Sequence, residues 1–576
     1  MRGWASSRGA SVLGLWVGFA CAAARAQASR PALAPRDAAG AVVVLGTATA
    51  GSGSRAPNQG SAAARDSVGD LEGRPIGRIT IEPHDIFDEL PGGRLEPLFR
   101  LADRLHVRTR ASTIRHHMLI APGDPWSAER AHESERVLRG LDIFDVVRVD
   151  GHREGDSAAV TIWTRDAWTT SPDFSLERGG GQVFGSVRFS EHNLFGHAQQ
   201  IGVAYRQDPT GISRSIDLAD PGVGPTHVRV GLSASQGSSG TASVVSVGLP
   251  FYAEDTPLSF GIRAERAHTT AHLFQDGAEL ASFARRFEQV QLSFGRGRRI
   301  DGTIARLTGS LVILDRSFGG STVTPGAPGA FAGGEERLRV RRFMAEGRLW
   351  RPAFVERMGV ERLDGVEDFD LGRALSVTVG YGPHAFGATV EDGYIGMRVD
   401  AGTDAGGLGF GTVRFGVGSR LVGGIRDGGG QVEARWANQA IPRHTLVVAA
   451  LGAGGTNTPR DFQLVVGGLN GLRAHNVHAL SGNRLWRINA ESRWLIGRDF
   501  ANLFSLGAAA FWDAARTWGP GSADVSWQHD LGFGLRIGLP RSAQNRVARF
   551  DVAWPVAPGT HSIHEAVFSF GSSQAF

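Results

Sequence analysis

The stretch Leu258-Ser259-Phe260-Gly261-Ile262-Arg263-Ala264-Glu265 decides the fold. Leu258, Phe260, Ile262 and Ala264 alternate with Ser259, Gly261, Arg263 and Glu265, and a period of two puts the apolar set on one face of an extended strand. Val228, Val230, Leu232 and Ala234 repeat the pattern against Arg229, Gly231 and Ser233. It returns at Leu375–Tyr381, Val413–Val417, Val432–Trp436, Leu531–Leu539 and Phe550–Trp554, with turns rich in Gly, Asp, Asn and Pro between the tracts. From residue 172 to 576 this period holds, and helical spacing is almost absent. A propeller of this size would repeat a motif every ~40 to 50 residues. A stacked sandwich would split into domains joined by linkers. Neither pattern is present. Closure into one transmembrane antiparallel β-barrel leaves no unpaired edge and needs no apolar interior. The tracts predict a mainly β chain with about 16 barrel strands, and up to about 20. Composition agrees: 80 Gly, 31 Phe and 13 Trp against 5 Met suit a glycine-rich sheet with aromatic girdles.

Working outward toward the N-terminus, residues 74–168 read as a compact α/β unit. Ile76, Ile79 and Ile81 mark a strand, and a long connection runs from Pro83 to Arg108. A short helix is expected over Ala111–Leu119. Ala121-Pro122-Gly123-Asp124-Pro125 is a tight turn, after which Ser127 opens a helix to Leu138. On that helix Ala131, Ser134, Val137, Leu138 and Leu141 share the packing face, with Glu129, Arg130, Glu133 and Arg136 expected toward water. Phe144–Val149 and Ala158–Ile162 read as two strands joined by a turn over Gly151–Ser157. Strand, helix, helix, strand, strand makes a two-layer unit.

Residues 29–73, rich in Ala, Gly, Ser, Arg and Pro, read as a flexible tether. Before it, Arg2 and Arg8 precede an apolar run ending at small residues. This is a signal peptide over residues 1–28, cut near Ala26 or Ala28. The run is shorter than the ~20 residues of a spanning helix. Cys21, the single cysteine, lies within it, so the mature chain is expected to have neither disulfide nor thiol chemistry.

Three motifs and the α/β unit carry a family resemblance. The run APGDPWSAERAHESERVLRGLDIFDVVRV at Ala121–Val149 looks like a polypeptide-transport-associated (POTRA) module. Ser190-Glu191-His192-Asn193-Leu194-Phe195-Gly196 resembles an early barrel strand-to-turn segment of the bacterial surface antigen superfamily, the BamA-TamA outer-membrane family. Val466–His475, with Gly471-Leu472-Arg473-Ala474-His475, sits where that family has a loop bearing a Val/Leu-Arg-Gly-Phe/Tyr tetrad. Phe511-Trp512-Asp513-Ala514-Ala515 is similar to its F-x-D-x-G strand. Ala474 and His475 replace the Gly and aromatic of the tetrad, and Ala515 replaces the second Gly. By spacing alone Arg473 stands either on a solvated surface loop or folded into the lumen against Asp513 and Glu491. The resemblance implies the lumenal lock. An Arg fork suits two buried carboxylates at once. The resemblance also reads Phe576, with Phe568 and Phe570, as a C-terminal assembly signal.

No catalytic motif is found, so an enzyme is not expected: G-x-S-x-G and H-E-x-x-H are both missing. The pairs His116-His117 and His475/His478 read as solvated polar residues rather than metal ligands. No cofactor is expected, and a net charge of +4 without a basic aromatic stripe argues against nucleic acid. The resemblance implies residence in a Gram-negative-type outer membrane with the POTRA-like unit in the periplasm. The implied partners are outer-membrane lipid, unfolded or β-barrel client polypeptides, and periplasmic assembly factors. The function expected is protein insertion or polypeptide translocation by a divergent single-POTRA member. The alternative is a passive outer-membrane channel or structural barrel.

Overall fold

The computed structural model describes residues 71–87, 96–179, 182–208, 210–324, 336–468, 470–500, 503–519, 522, 526–543, 547–556 and 566–572. The expected signal peptide, the expected tether up to residue 70 and Phe576 lie outside the described residues. The N-terminal unit holds strand β1 (Ile76–His84), helices α1 (Glu96–Leu105), α2 (Ala111–His117) and α3 (Ala128–Arg139), and strands β2 (Phe144–Glu154) and β3 (Ser157–Asp166). Its sheet order is β1-β3-β2, with β3 central, parallel to β1 and antiparallel to β2. Ile76, Ile114, Leu138, Ile143, Phe144, Val160 and Ile162 fill the core between helices and sheet.

Three local expectations are corrected here. The connection from Pro83 to Arg108 contains α1, whose Phe99 and Ala102 are buried with Ile86 and Phe87. The turn between β2 and β3 is narrower than Gly151–Ser157, because the ladder continues to the pair Glu154↔Ser157. Glu133 and Arg136 do not face water. Glu133 is buried and accepts the Glu254 backbone N–H at 2.6 Å, while Arg136 Nη2 meets Glu254 Oε1 at 2.8 Å. A polar helix face reads as a solvated one unless a second docking partner is known.

Twenty strands close the barrel, the top of the expected range. The first arc is β4 (Thr170–Gly179), β5 (Gln182–Leu194), β6 (Gln199–Asp208), β7 (Gly211–Asp220), β8 (Arg229–Gly237) and β9 (Gly240–Leu249). Four longer strands follow: β10 (Leu258–Gln275), β11 (Ala278–Ile300), β12 (Thr303–Val323) and β13 (Glu336–Arg351). A separate hairpin, β14 (Phe354–Met358) with β15 (Val366–Asp370), precedes β16 (Arg373–Gly382), β17 (Asp392–Asp404), β18 (Phe410–Leu421), β19 (Ile425–Asn438) and β20 (His444–Thr456). A second short hairpin, β21 (Leu464–Val466) with β22 (Leu480–Gly482), precedes β23 (Arg484–Phe500) and β24 (Phe504–Trp518). The wall ends with β25 (Gln528–Gly538), β26 (Val547–Pro555) and β27 (Val567–Ser572). β27 then pairs antiparallel with β4 to close the cylinder.

The barrel is inside-out relative to a soluble domain. Phe260 faces Phe294 across β10 and β11, and Met397 lies between Val377 and Val417 across β16, β17 and β18; all five are exposed. Arg342, Asp392, Arg420, Asp513 and Arg536 are buried. An exposed apolar belt over a charged interior is what alternating strands give in lipid. Among the described residues no helix is long and apolar enough to span a membrane.

The N-terminal unit docks on one rim. Arg110 Nε donates to the Phe195 carbonyl at 3.1 Å, and Thr113 Oγ1 to that of Gly196 at 2.9 Å. Gly196 sits at φ +77°, and a Cβ there would come within 2.6 Å of the Arg108 carbonyl, so glycine is required where unit and barrel meet. His116 Nε2 stands 2.7 Å from the Thr226 carbonyl, and the Trp168 backbone N–H donates to Arg541.

Candidate functional site

The loop between β20 and β23 turns inward, with β21 and β22 as its short stem. Leu472, fully buried, packs with Val466, Leu480, Leu485 and Ala515, and this apolar seat holds the next residue, Arg473, over the wall. Gly471 has φ +100°, the left-handed geometry that turns the chain at that point.

Arg473 forms a two-pronged pair with Asp513 on β24: Nε to Oδ2 at 2.7 Å and Nη2 to Oδ1 at 2.8 Å. Nη1 reaches Glu491 Oε2 on β23 at 2.8 Å and Asp551 Oδ2 on β26 at 3.3 Å. The guanidinium also lies 3.3 Å from the centre of the Phe511 ring. Asn489 Nδ2 donates to Asp513 Oδ1 and to the Gly471 carbonyl. The next residues add to the seat. The Ala474 backbone N–H donates to Asp530 Oδ2 at 2.7 Å, and His475 Nδ1 stands 2.9 Å from Asp530 Oδ1.

The structure thus brings Arg473, Glu491 and Asp513 together, with the loop motif around them. Ala474 packs against Phe511 and Ala553, and Ala515 lies under Leu472, so the two residues that depart from the family pattern are accommodated by apolar contacts. Phe568 is exposed on the outer face, and Phe570 packs at a tilt against Phe550 with ring centres 4.6 Å apart.

Sequence reasoning missed five of the eight members of the cluster. Glu491 also meets Arg493 Nε at 2.9 Å and Arg536 Nη2 at 3.2 Å, while Asp551 meets Arg536 Nη1 at 2.6 Å and Arg549 Nη1 at 3.3 Å. Four guanidiniums, from Arg473, Arg493, Arg536 and Arg549, thereby meet three carboxylates, from Glu491, Asp513 and Asp551, with Asp530 joined through Ala474 and His475; none of the eight is more than 3% exposed. The overlooked signal was parity. On β25, Asp530 and Arg536 fall opposite the outward Leu531, Phe533 and Leu535. Arg549 and Asp551 fall opposite Phe550 on β26.

Two of the four histidines expected in water are buried instead, and His116 and His478 are half-buried. His117 and His475 are buried, and His478 packs its ring on Phe274 at 4.1 Å. Buried imidazoles here fill gaps between unit, loop and wall. Among the described residues no cluster of three or more His, Cys, Asp or Glu is arranged to hold a metal.

No family model matches the chain. Among curated proteins, the outer membrane protein assembly factor BamA of Neorickettsia risticii (strain Illinois) is 25% identical over 134 residues, 22% of this chain and 18% of that protein. The chain therefore matches less than a fifth of that relative's length. Among solved structures, CdiB from Escherichia coli aligns over 86% of this chain and 76% of its own, at 12% identity and a TM-score of 0.43. BamA from Haemophilus ducreyi lacking POTRA domains 1-3 aligns over 86% and 85%, at 12% identity and a TM-score of 0.39. The chain thus shares a stretch of sequence with a curated outer membrane protein assembly factor BamA, and it folds as a closed barrel with an apolar outer face.

Proposed function

We propose that the chain is a protein insertion or polypeptide translocation factor of the outer membrane, with residues 74–168 as a single POTRA-like unit in the periplasm. The observation that carries this reading is the closure of the barrel. Among the described residues β27 meets β4 in only three residue pairs, Phe568↔Arg178, Ser569↔Glu177 and Phe570↔Leu176. The neighbouring β4 and β5 share ten. Over the described residues this junction is the less paired one, and a junction with fewer ladder bonds opens at lower cost, exposing strand edges to which a client strand can add.

The lock complements the seam. Arg473 fixes the inward loop to β23, β24 and β26, next to the closing strand, so the wall beside the seam stays rigid while the seam itself parts. Breaking one partner out of a buried ion cluster costs about 3–5 kcal/mol. The POTRA-like unit offers β1 and β2 as sheet edges for an extended client or for periplasmic assembly factors. No step in this reading needs a cofactor or catalytic group. Against the passive channel stands the inward loop, which occupies the lumen.

The test is reconstitution. Proteoliposomes carrying the full chain should speed the folding of a urea-denatured test barrel relative to empty liposomes. Ion conductance without any effect on folding would instead support the passive channel.

A further inference from the structure

β13 and β16 are adjacent, paired strands, and a two-residue turn could join them. Residues 352–372 intervene instead, carrying the β14–β15 hairpin, which shares no ladder with the barrel. Its tip crosses the lumen at the rim where the N-terminal unit docks. Val360 packs with Phe410, Ala437 and Val447, inward residues of β18, β19 and β20. Asp364 accepts from Ser505 Oγ on β24 at 3.1 Å, and Glu361 pairs with Arg435. The Leu363 side chain lies against Gly507 and Gly538, where any larger residue on β24 or β25 would collide with it. The tip is itself braced: Glu367 accepts the backbone N–H groups of Val360, Glu361 and Arg362 at 2.8–3.1 Å.

From outside the barrel, the last turn of α3 grips the base of this hairpin. Arg139, 3% exposed, forms a two-pronged pair with Asp368, Nε to Oδ2 at 2.8 Å and Nη2 to Oδ1 at 2.7 Å. The Arg136 guanidinium lies 4.2 Å from the Phe354 ring centre. On the lumen side, Arg493 donates both to the Val360 carbonyl and to Glu491, a partner of Arg473.

We propose that residues 352–372 are a plug closing the lumen at the N-terminal unit's rim, and that the Arg139–Asp368 pair latches it, so that movement of the unit unseats it. A hairpin outside the barrel ladder swings on its two ends without breaking wall hydrogen bonds, and a bidentate ion pair fixes both its position and its orientation. This goes beyond the insertion reading and does not depend on it.

The experiment needs no client. The only natural cysteine, Cys21, lies in the leader stretch, so Val447→Cys, fully buried beneath the plug, gives a single reporter thiol in the mature chain. Full-length protein in liposomes, with the N-terminal unit outside, is exposed to a membrane-impermeant maleimide. The Val447→Cys protein should label slowly; adding Arg139→Ala or Asp368→Asn should raise the rate at least tenfold with the heat-resistant folded band retained. Fast labelling with the latch intact overturns the plug, and an unchanged rate in both latch variants overturns the latch. A second measurement guards against variants that fail to fold. Asp364→Cys with Ser505→Cys, whose native side chains meet at 3.1 Å, should oxidise to a disulfide in the folded protein. Failure of that bond to form rejects the placement of the tip.

Discussion

Two buried ionic clusters face the lumen, and they are wired differently. On the side of β17, Arg342 and Arg420 share Asp392, and Arg420 also meets Asp427; every member belongs to a wall strand. On the side of β24 the same chemistry includes Arg473, which belongs to a loop. The first cluster ties wall strands that the sheet already holds, β17 to β18 and β18 to β19 through their shared ladders and β13 to β17 across the intervening β16. The second ties a loop to three wall strands that no ladder connects to it. Ion pairs in the first are therefore redundant with the fold, whereas in the second they are what decides whether the loop is in or out.

The largest effect should follow from removing the loop's own charge. Arg473→Ala leaves Asp513 with the neutral Asn489 amide and should cost about 3–5 kcal/mol. It should be read as a lower temperature for the heat-induced gel shift and as new protease cleavage within residues 457–483. An unchanged gel shift and an intact loop would place Arg473 outside any lock. A smaller effect is expected from Arg342→Ala, because Asp392 keeps Arg420 at 2.6 Å. A loss of about 1–3 kcal/mol with the loop still protected fits the contrast. Equal loop release in both variants would erase it.

The smallest effect lies outside both clusters. Burial raises the Glu133 carboxyl above its ordinary value, the Glu254 backbone N–H opposes this, and the Glu254 and Asp255 carboxylates add to it while Arg136 counters. A group whose pKa is raised on docking favours the docked state fully below its free value of about 4.5, and that contribution is lost as pH rises through the shifted value. Contact between the unit and turn 250–257 should thus weaken from acid toward neutral pH. Glu133→Gln should flatten that profile and strengthen docking at neutral pH, as measured by protection of α3 from proteolysis. A profile identical to the parent would show that Glu133 keeps its charge.

Much of this was legible in the chain itself, because a period of two survives any change of partner. Leu258–Glu265 fixed which residues face lipid, and the Arg473, Asp513 and Glu491 motifs named three members of the lock. Arg536, Arg549, Asp530 and Asp551 carried the right parity, yet many inward charges do. Which of them converge depends on strand number and register, set only when β27 meets β4. Helix α1 carries its own signal, since Leu98, Phe99, Leu101, Ala102 and Leu105 recur at helical spacing inside what reads as a long connection; the polar face of α3 escaped because its partner, turn 250–257, lies far along the chain. The plug escaped for a similar reason: Phe354–Met358 and Val366–Asp370 are short strands that read like barrel turns.

The seam gives the most direct test. Glu177→Cys with Ser569→Cys places two thiols directly opposite each other across β4 and β27. In proteoliposomes, the reduced protein should accelerate folding of a test barrel, and oxidation to the disulfide should abolish that acceleration, with reductant restoring it. Equal acceleration by the oxidised and reduced forms would contradict the account, since clients would then be handled without the barrel opening.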